Sequence, residues 1–229
     1  MQESPPSPRK RRWDALNQCL EVNKDSKGRK NGEFSTPYSS VKYNEVKGVF
    51  DPITQRFTQD VKEIPAEDFE LLVRMLGLAN TTIGEIITGK ESKRLYFIAH
   101  ILMVVCSLFK GDVQIKVEED LVGKNVNANG RFEFMLQRGD KRVCIVEAKK
   151  EDMEQGLAQN LIGCEVASDL DDLRTVYGIV TTFIQWTFLK SCDDRIERDD
   201  TTLLVREGVV DSASLMEIAG KIYAMLSDD

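Results

Sequence analysis

Three short segments with strand character follow one another between residues 113 and 148, and helical patterns flank them on both sides. The predicted strands are Val113–Glu118, Arg131–Gln137 and Arg142–Ala148, and residues Arg138–Lys141 are typical of a hairpin turn. Further segments continue this order: helices at Ala66–Leu78, Glu91–Phe109, Glu151–Ala167 and Ser212–Leu226, and strands at Val176–Thr182, Thr187–Lys190 and Thr202–Val205. Helix, three strands, helix and strand is an α/β order, so we expect a mixed sheet of about three to five strands flanked by helices.

Residues 1–60 differ in composition from the rest, being rich in Pro, Ser, Asn, Lys and Gly with weak periodicity. We expect a flexible basic arm over 1–60, followed by one domain over 61–229. Two basic clusters, Arg9–Arg12 and Lys24–Lys30, have the spacing of a two-part nuclear localisation signal read by an import receptor. A solvated basic tail is the alternative. The net charge of −7 gives no general attraction to nucleic acid, so such an arm would have to supply it locally.

Several kinds of chemistry are disfavoured by composition. The chain has one histidine, His100, which lies on an apolar helix and is expected to pack there. Its five cysteines are scattered without a C-x-x-C pair, which argues against a zinc site or a disulfide framework. No apolar run reaches the roughly 18 residues of a membrane span, and no secretory signal is recognised at the N-terminus. Catalysis would therefore depend on carboxylates, lysines and a bound metal ion.

One strand carries such a set of side chains. The apolar segment that begins at Cys144 ends in Glu147-Ala148-Lys149, and residues two apart on a strand face the same side. Glu133 lies 14 residues upstream on the preceding strand, where a hairpin would bring it beside Glu147. Two carboxylates and the Ala148 carbonyl are ligands suited to Mg²⁺ or Mn²⁺. Lys149 could orient a water or stabilise developing charge, although Glu-x-Lys alone is also common at exposed strand edges.

The order of these motifs resembles the PD-(D/E)XK nuclease superfamily, and more closely the nuclease-like C-terminal domains of Crinkler-type effectors of oomycetes and fungi. The resemblance covers about residues 90 to 190. Four stretches carry it: Glu91–Arg94 with Phe97–Ile98 and Ile101–Leu102; Gly130–Leu136; Ile145–Lys149 with Gly156–Gln159; and Tyr177–Thr181 before Trp186 and Phe188. It implies a restriction-endonuclease-like core.

The resemblance also implies roles for individual residues. Glu147 and Lys149 match the E and K of the motif, and Glu133 stands where the superfamily usually has Asp. The additional methylene moves the Glu133 oxygens outward, which puts the metal geometry in doubt. Glu91 matches a supporting metal ligand on the first core helix, and Gln159 matches a glutamine that helps to hold the active site.

Alternatives remain for two of these residues and for the aromatic side chains. Glu91 could instead be an acid that stabilises the first turn of a helix, with Glu85 as a rival ligand. Gln159 could be a polar residue on the helix surface, with Gln155 as its rival one turn earlier. The aromatic residues Tyr177, Trp186 and Phe188 are expected in the core rather than as platforms for bases.

The function expected from this pattern is metal-dependent endonuclease activity, on DNA in a nucleus and in the role of an effector. Lys149, Lys150 and the basic arm would contact phosphates. RNA and branched substrates are not distinguished from DNA, and a homodimer would allow both strands to be cut. The alternative is a nuclease fold without activity that binds a nuclear protein or nucleic acid.

Overall fold

A mixed sheet of eight strands forms the centre of the protein in a computed structural model that describes residues 5–26, 35–85, 91–149 and 152–227, without the side chains at 23–26, 91, 141 and 142. The strands are β1 (Thr36–Pro37), β2 (Thr54–Arg56), β3 (Val113–Val122), β4 (Ala128–Arg138), β5 (Lys141–Ala148), β6 (Val176–Thr181), β7 (Gln185–Ser191) and β8 (Ile196–Thr202). Their order is β1-β4-β5-β6-β7-β8-β2, and β3 also pairs with β4. The short strands β9 (Val205–Arg206) and β10 (Val209–Val210) form a separate pair.

Helices cover both faces of the sheet. They are α1 (Pro8–Ser26), α2 (Tyr43–Phe50), α3 (Ala66–Ile83), α4 (Glu91–Ser107), α5 (Met153–Asp171) and α6 (Ser212–Ser227). The residues of β5 alternate between two apolar cores: Val146 packs with α3, α4 and α6, whereas Ile145 packs with α1, α2 and α5. In the described part of the chain, no helix combines the length and the apolar character needed to cross a membrane.

Helix α5 is fixed over the middle of the sheet by Asn160, which is fully buried. Its amide donates to the carbonyls of Ile145 on β5 at 2.9 Å and of Ile179 on β6 at 3.1 Å. The neighbouring Gly178 leaves the space for this amide, because a Cβ at that position would lie 1.9 Å from Asn160 Oδ1. The crossover between the parallel strands β5 and β6 therefore has one fixed position along the sheet.

The predicted α/β architecture with a mixed sheet and flanking helices is confirmed, and the hairpin closes at Arg138 and Lys141 as expected. The predicted strand Thr202–Val205 is wrong, because β8 ends at Thr202 and β9 begins at Val205. The acidic residues of β8 give it low hydropathy, so the apolar pattern does not indicate a strand there. They are held by basic partners: Arg198 Nε lies 3.1 Å from Asp200, and Lys221 Nζ lies 2.8 Å from Asp199.

The expectation of a flexible arm over residues 1–60 is not met by its described residues. They contain α1, α2 and the edge strands β1 and β2, which enlarge the sheet beyond the predicted size. Leu16 and Leu20 of α1 are fully buried in the core that includes Leu161 of α5. The apolar side chains of α1 are few but are spaced one turn apart, which suffices for one buried stripe.

The first basic cluster is partly buried against Glu165 of α5. Arg9 and Arg12 are 3% and 6% exposed, and their Nε atoms lie 3.7 and 3.2 Å from Glu165 Oε2. Trp13 Nε1 and Ser191 Oγ donate to the same carboxylate at 2.8 and 2.7 Å. Burial lowers the pKa of Arg12, an effect that the Glu165 charge opposes.

The predicted display of Arg9–Arg12 to an import receptor is therefore wrong for Arg9 and Arg12, whose guanidinium groups face inward. Lys10 and Arg11 remain exposed. The second cluster is outside the description, since the Lys24 side chain and residues 27–30 are not part of it.

Candidate functional site

Glu147 lies at the end of β5 with its side chain turned toward α5, and it is 1% exposed. Lys149 follows two residues later on the same face, with Nζ 2.5 Å from Glu147 Oε1. The Lys149 backbone N–H donates to the Thr181 carbonyl at 2.8 Å, which continues the parallel pairing with β6 past the end of the strand. The pair is thus placed by the strand alternation that the sequence predicts.

Glu133 reaches this pair from β4. The antiparallel register places Phe134 opposite Val146, so the next residues outward, Glu133 and Glu147, are neighbours across the two strands. Glu133 Oε2 accepts a bond from the Ala148 backbone N–H at 3.2 Å. The two carboxyl groups are close enough to share a hydrogen bond when one of them is protonated. The structure therefore brings together Glu133, Glu147, Ala148 and Lys149 as predicted.

Burial dominates the electrostatics of Glu147 and raises its pKa to about 8. The negative charge of Glu133 raises this pKa further, while Lys149 acts in the opposite direction. Oε2 of Glu147 is buried and accepts no hydrogen bond from any described residue. The metal-free carboxyl group therefore holds its proton to a higher pH than an exposed glutamate does.

A divalent cation fits this donor set chemically. Two carboxylates, one with a buried oxygen that lacks a donor, are ligands that Mg²⁺ and Mn²⁺ prefer. Among the described residues, which do not include the Glu91 side chain, no cluster of three His, Cys, Asp or Glu side chains is present.

The predicted supporting ligand Glu91 is the first residue of α4, and its side chain lies outside the described residues. The first turn of α4 lies near the C-terminal ends of β5 and β6, since Arg94 Nη1 donates to the Thr182 carbonyl at 3.3 Å. The rival Glu85 is exposed in the segment before α4.

Helix α5 approaches Lys149 closely at Gly156. A Cβ at this position would lie 2.9 Å from Lys149 Cγ and 2.7 Å from Val180 Cγ1, so the lysine side chain runs beneath the helix. Gln159 is buried one turn further along α5. The rival Gln155 is engaged elsewhere, because its amide donates to the carbonyls of Ser39 and Val41.

Sequence reasoning missed two residues that shape the site. Asn160 fixes α5 above β5, and a buried amide amid apolar residues of one helix was its only signal. Tyr38 stacks on Phe132 with ring centroids 5.0 Å apart, and its hydroxyl donates to the Gly130 carbonyl. Burial raises the pKa of Tyr38, and the charge of Glu147 adds to this effect. Tyr38 lies in the segment expected to be a flexible arm, so nothing local pointed to it. The aromatic residues Tyr177, Trp186 and Phe188 are buried in the core as predicted.

Comparison with known proteins supports one part of the resemblance. Over 219 residues, 96% of its length, the chain is 45% identical to Crinkler effector protein 5 of Phytophthora infestans. The chain is a homologue of a Crinkler effector. It spans 62% of the length of that relative.

Two other comparisons add little. No model of a known protein family matches the chain. A cryo-EM structure of a DrdV–DNA complex is similar with a TM-score of 0.41 and 12% identity, over 71% of this chain and 14% of the other. A structural similarity of this size supports no conclusion about function.

Proposed function

We propose that the chain is a metal-dependent endonuclease of the PD-(D/E)XK type, with a restriction-endonuclease-like core. The observation that carries the proposal is the Glu147 carboxyl group, buried at a strand end between a second carboxyl group and a lysine. A buried carboxyl group with a raised pKa lowers the stability of the fold once it is ionised, and such groups are concentrated at functional sites. The homology to a Crinkler effector supports an effector role.

In this proposal Glu133 and Glu147 hold Mg²⁺ or Mn²⁺, together with the Ala148 carbonyl and with Glu91 as a supporting ligand. When bound, the metal supplies charge stabilisation at the phosphate and a more acidic water. Lys149 Nζ, fixed beside Glu147, holds positive charge where the phosphate gains negative charge during attack. Gln159 supports the site from α5. Binding of the metal ion requires Glu147 to lose its proton, so nuclease activity should rise with pH until that carboxyl group is ionised.

Cleavage of plasmid DNA, of single-stranded DNA and of RNA, each with and without Mg²⁺ or Mn²⁺, tests the proposal. We expect metal-dependent cutting that Glu147→Gln and Lys149→Met each reduce by at least about a hundredfold. Glu119→Gln, an exposed glutamate on β3, is the matched control and should cut like the wild type. Equal cutting by the wild type and Glu147→Gln would remove the proposal.

A second candidate is a nuclease fold that binds a nuclear protein or nucleic acid without cutting. This candidate is favoured by the position of Lys149, whose Nζ lies 2.5 Å from Glu147 Oε1. The lysine charge partly compensates the carboxylate charge without a metal ion. Thermal unfolding during metal titration separates the two candidates. A ligand that binds only the folded state raises the midpoint, whereas a degenerate site leaves it unchanged.

The proposed place of action is a nucleus, which rests on the two basic clusters. With Arg9 and Arg12 buried, the exposed Lys10 and Arg11 are the parts of the first cluster available to a receptor in the folded protein. A fluorescent fusion expressed in eukaryotic cells tests this location. Nuclear accumulation should fall in a Lys10→Ala/Arg11→Ala variant. The exposed acid-to-amide change Glu21→Gln is the control.

A further inference from the structure

On the face of the sheet that carries α5, a row of paired residues runs from the candidate site across the neighbouring strands. Glu147 is opposite Val180, Val180 is opposite Thr187, and Thr187 is opposite Asp200. Residues in such a row point to the same side, and neighbouring strands lie about 4.8 Å apart. Thr187 is thus about 10 Å from Glu147. A nucleotide whose phosphate lies at Glu147 could therefore place its base near Thr187.

A cavity of about 340 Å³ lies at the far end of this row. Its lining includes Tyr43, Leu157, Gln185, Thr187, Arg198 and Asp200. Leu157 is the neighbour of Gly156, the residue of α5 that covers Lys149. One turn of α5 therefore borders both the candidate site and the cavity. The volume lies within the range of small-ligand pockets.

Hydrogen-bonded polar side chains line one part of the cavity. Thr187 Oγ1 donates to Asp200 Oδ1 at 2.6 Å. Arg198 donates to the same carboxylate through Nε and Nη2 at 3.1 Å. These bonds hold an acceptor and a guanidinium side by side, and the guanidinium has five N–H donors in all. The edges of nucleobases present adjacent donors and acceptors of this kind.

The charge of the lining favours a base over a phosphate in this cavity. The carboxylates of Asp200 and Glu154 outnumber the Arg198 guanidinium among its lining side chains, and they repel a phosphate. The half-buried ring of Tyr43 forms another part of the wall, and its hydroxyl donates to Asp51. Aromatic side chains held in this way are platforms on which bases stack.

We propose that this cavity binds one unpaired nucleobase of a nucleic-acid strand, next to the phosphodiester held at Glu147 and Lys149. A base inside a duplex has its Watson–Crick edge occupied and its faces stacked, so it cannot enter. The protein therefore selects single strands or junctions that carry an unpaired base. This inference rests on the proposed function for the position of the phosphodiester, but base binding can be measured without cleavage.

Fluorescence anisotropy with short labelled oligonucleotides in EDTA tests the cavity. One probe is a single strand, one is the same sequence as a duplex, and a third series carries a single abasic residue moved along the strand. We expect the wild type to prefer the single strand and to lose about tenfold in affinity when the abasic residue occupies one position. Tyr43→Phe keeps the ring and should show the same loss. Tyr43→Ala and Asp200→Asn should bind the intact and abasic strands alike.

The outcomes separate this inference from the nuclease proposal. Equal affinity for every abasic strand, or equal binding of duplex and single strand, overturns the base site even if plasmid is cut. A position-dependent loss that Tyr43→Ala removes upholds the base site even if no cutting occurs with Mg²⁺ or Mn²⁺. If the Tyr43→Ala variant unfolds, the Asp200→Asn variant decides the question. It replaces one acceptor oxygen by an NH2 group and leaves the backbone pairing of β8 intact.

Discussion

Lys149 Nζ lies 2.5 Å from Oε1 of Glu147, while the second oxygen of the same carboxylate receives no bond from the described residues. One half of the carboxyl group is thus satisfied and the other half is buried without a donor. An unsatisfied buried acceptor costs about 1–3 kcal/mol. In its ionised form Glu147 therefore destabilises the metal-free fold.

Glu147→Gln should stabilise the metal-free protein at alkaline pH. The pKa of Glu147 is raised from 4.5 to about 8 in the folded state, so the folded protein holds this proton more tightly than the unfolded chain. Its contribution to stability is complete below about pH 4.5 and is lost as the pH rises through 8. Glutamine carries no charge and avoids this loss. The midpoint of thermal unfolding in EDTA should exceed that of wild type by several degrees at pH 8.5 and differ little at pH 5. A difference independent of pH would contradict the assignment.

Gly156→Ala should impair activity more than stability. The added methyl would lie 2.9 Å from Lys149 Cγ and 2.7 Å from Val180 Cγ1, so the lysine must move. We expect a loss of about 1–3 kcal/mol in unfolding free energy and at least tenfold lower cleavage. Gly77→Ala in α3 is the matched control, because nothing lies within 4 Å of its Cβ, and helix propensity predicts a gain of up to about 1 kcal/mol. Equal effects of both changes on cleavage would count against a role for the Lys149 position.

Glu165→Gln should loosen α1. It leaves Arg9 and Arg12 buried without their shared counter-charge, while the half-exposed Asp193 remains near Arg9 at 3.7 Å. Removing one member of a buried ion pair costs about 3–5 kcal/mol. Chemical denaturation measures this loss, and limited proteolysis should cut first within α1. Glu21→Gln, on the exposed side of α1, should change the unfolding free energy by less than about 0.5 kcal/mol.

Gly178→Ala and Asn160→Ala should be strongly coupled. The first places a methyl 1.9 Å from Asn160 Oδ1, and the second removes the two bonds that fix α5 to β5 and β6. Each single change should cost about 2 kcal/mol or more. In the double variant the clash is gone, so its cost should fall below the sum of the two by at least about 1 kcal/mol. Additive denaturation energies would show that the two residues do not share this contact.

The centre of the site was predictable because it depends on local periodicity. Alternation along β5 puts Glu147 and Lys149 on one side, and a short hairpin brings Glu133 beside them. The surrounding parts were not predictable in the same way. The cavity joins α2, α5 and β8, which are far apart in sequence, and β8 carries acids that conceal its pattern.

The error about α1 has the same physical origin. Within the first residues of the chain nothing indicates that Arg9 and Arg12 can be buried. Their compensating acid, Glu165, is more than 150 residues away, and the remaining partners, which include backbone carbonyls that any sequence possesses, are equally distant in sequence. The composition correctly identifies a basic segment, but the tertiary structure decides whether its side chains are exposed to solvent.

The long separation between Arg9 and its partners also sets the order of assembly. Arg9 Nη2 donates to the Ser191 carbonyl and Arg12 Nη2 to the Cys192 carbonyl, each at 2.7 Å. During synthesis neither acceptor exists until the chain has passed residue 192, so these two bonds can form only after most of the chain has been made. Until then the guanidinium groups of Arg9 and Arg12 lack these partners, and completion of the fold buries both side chains.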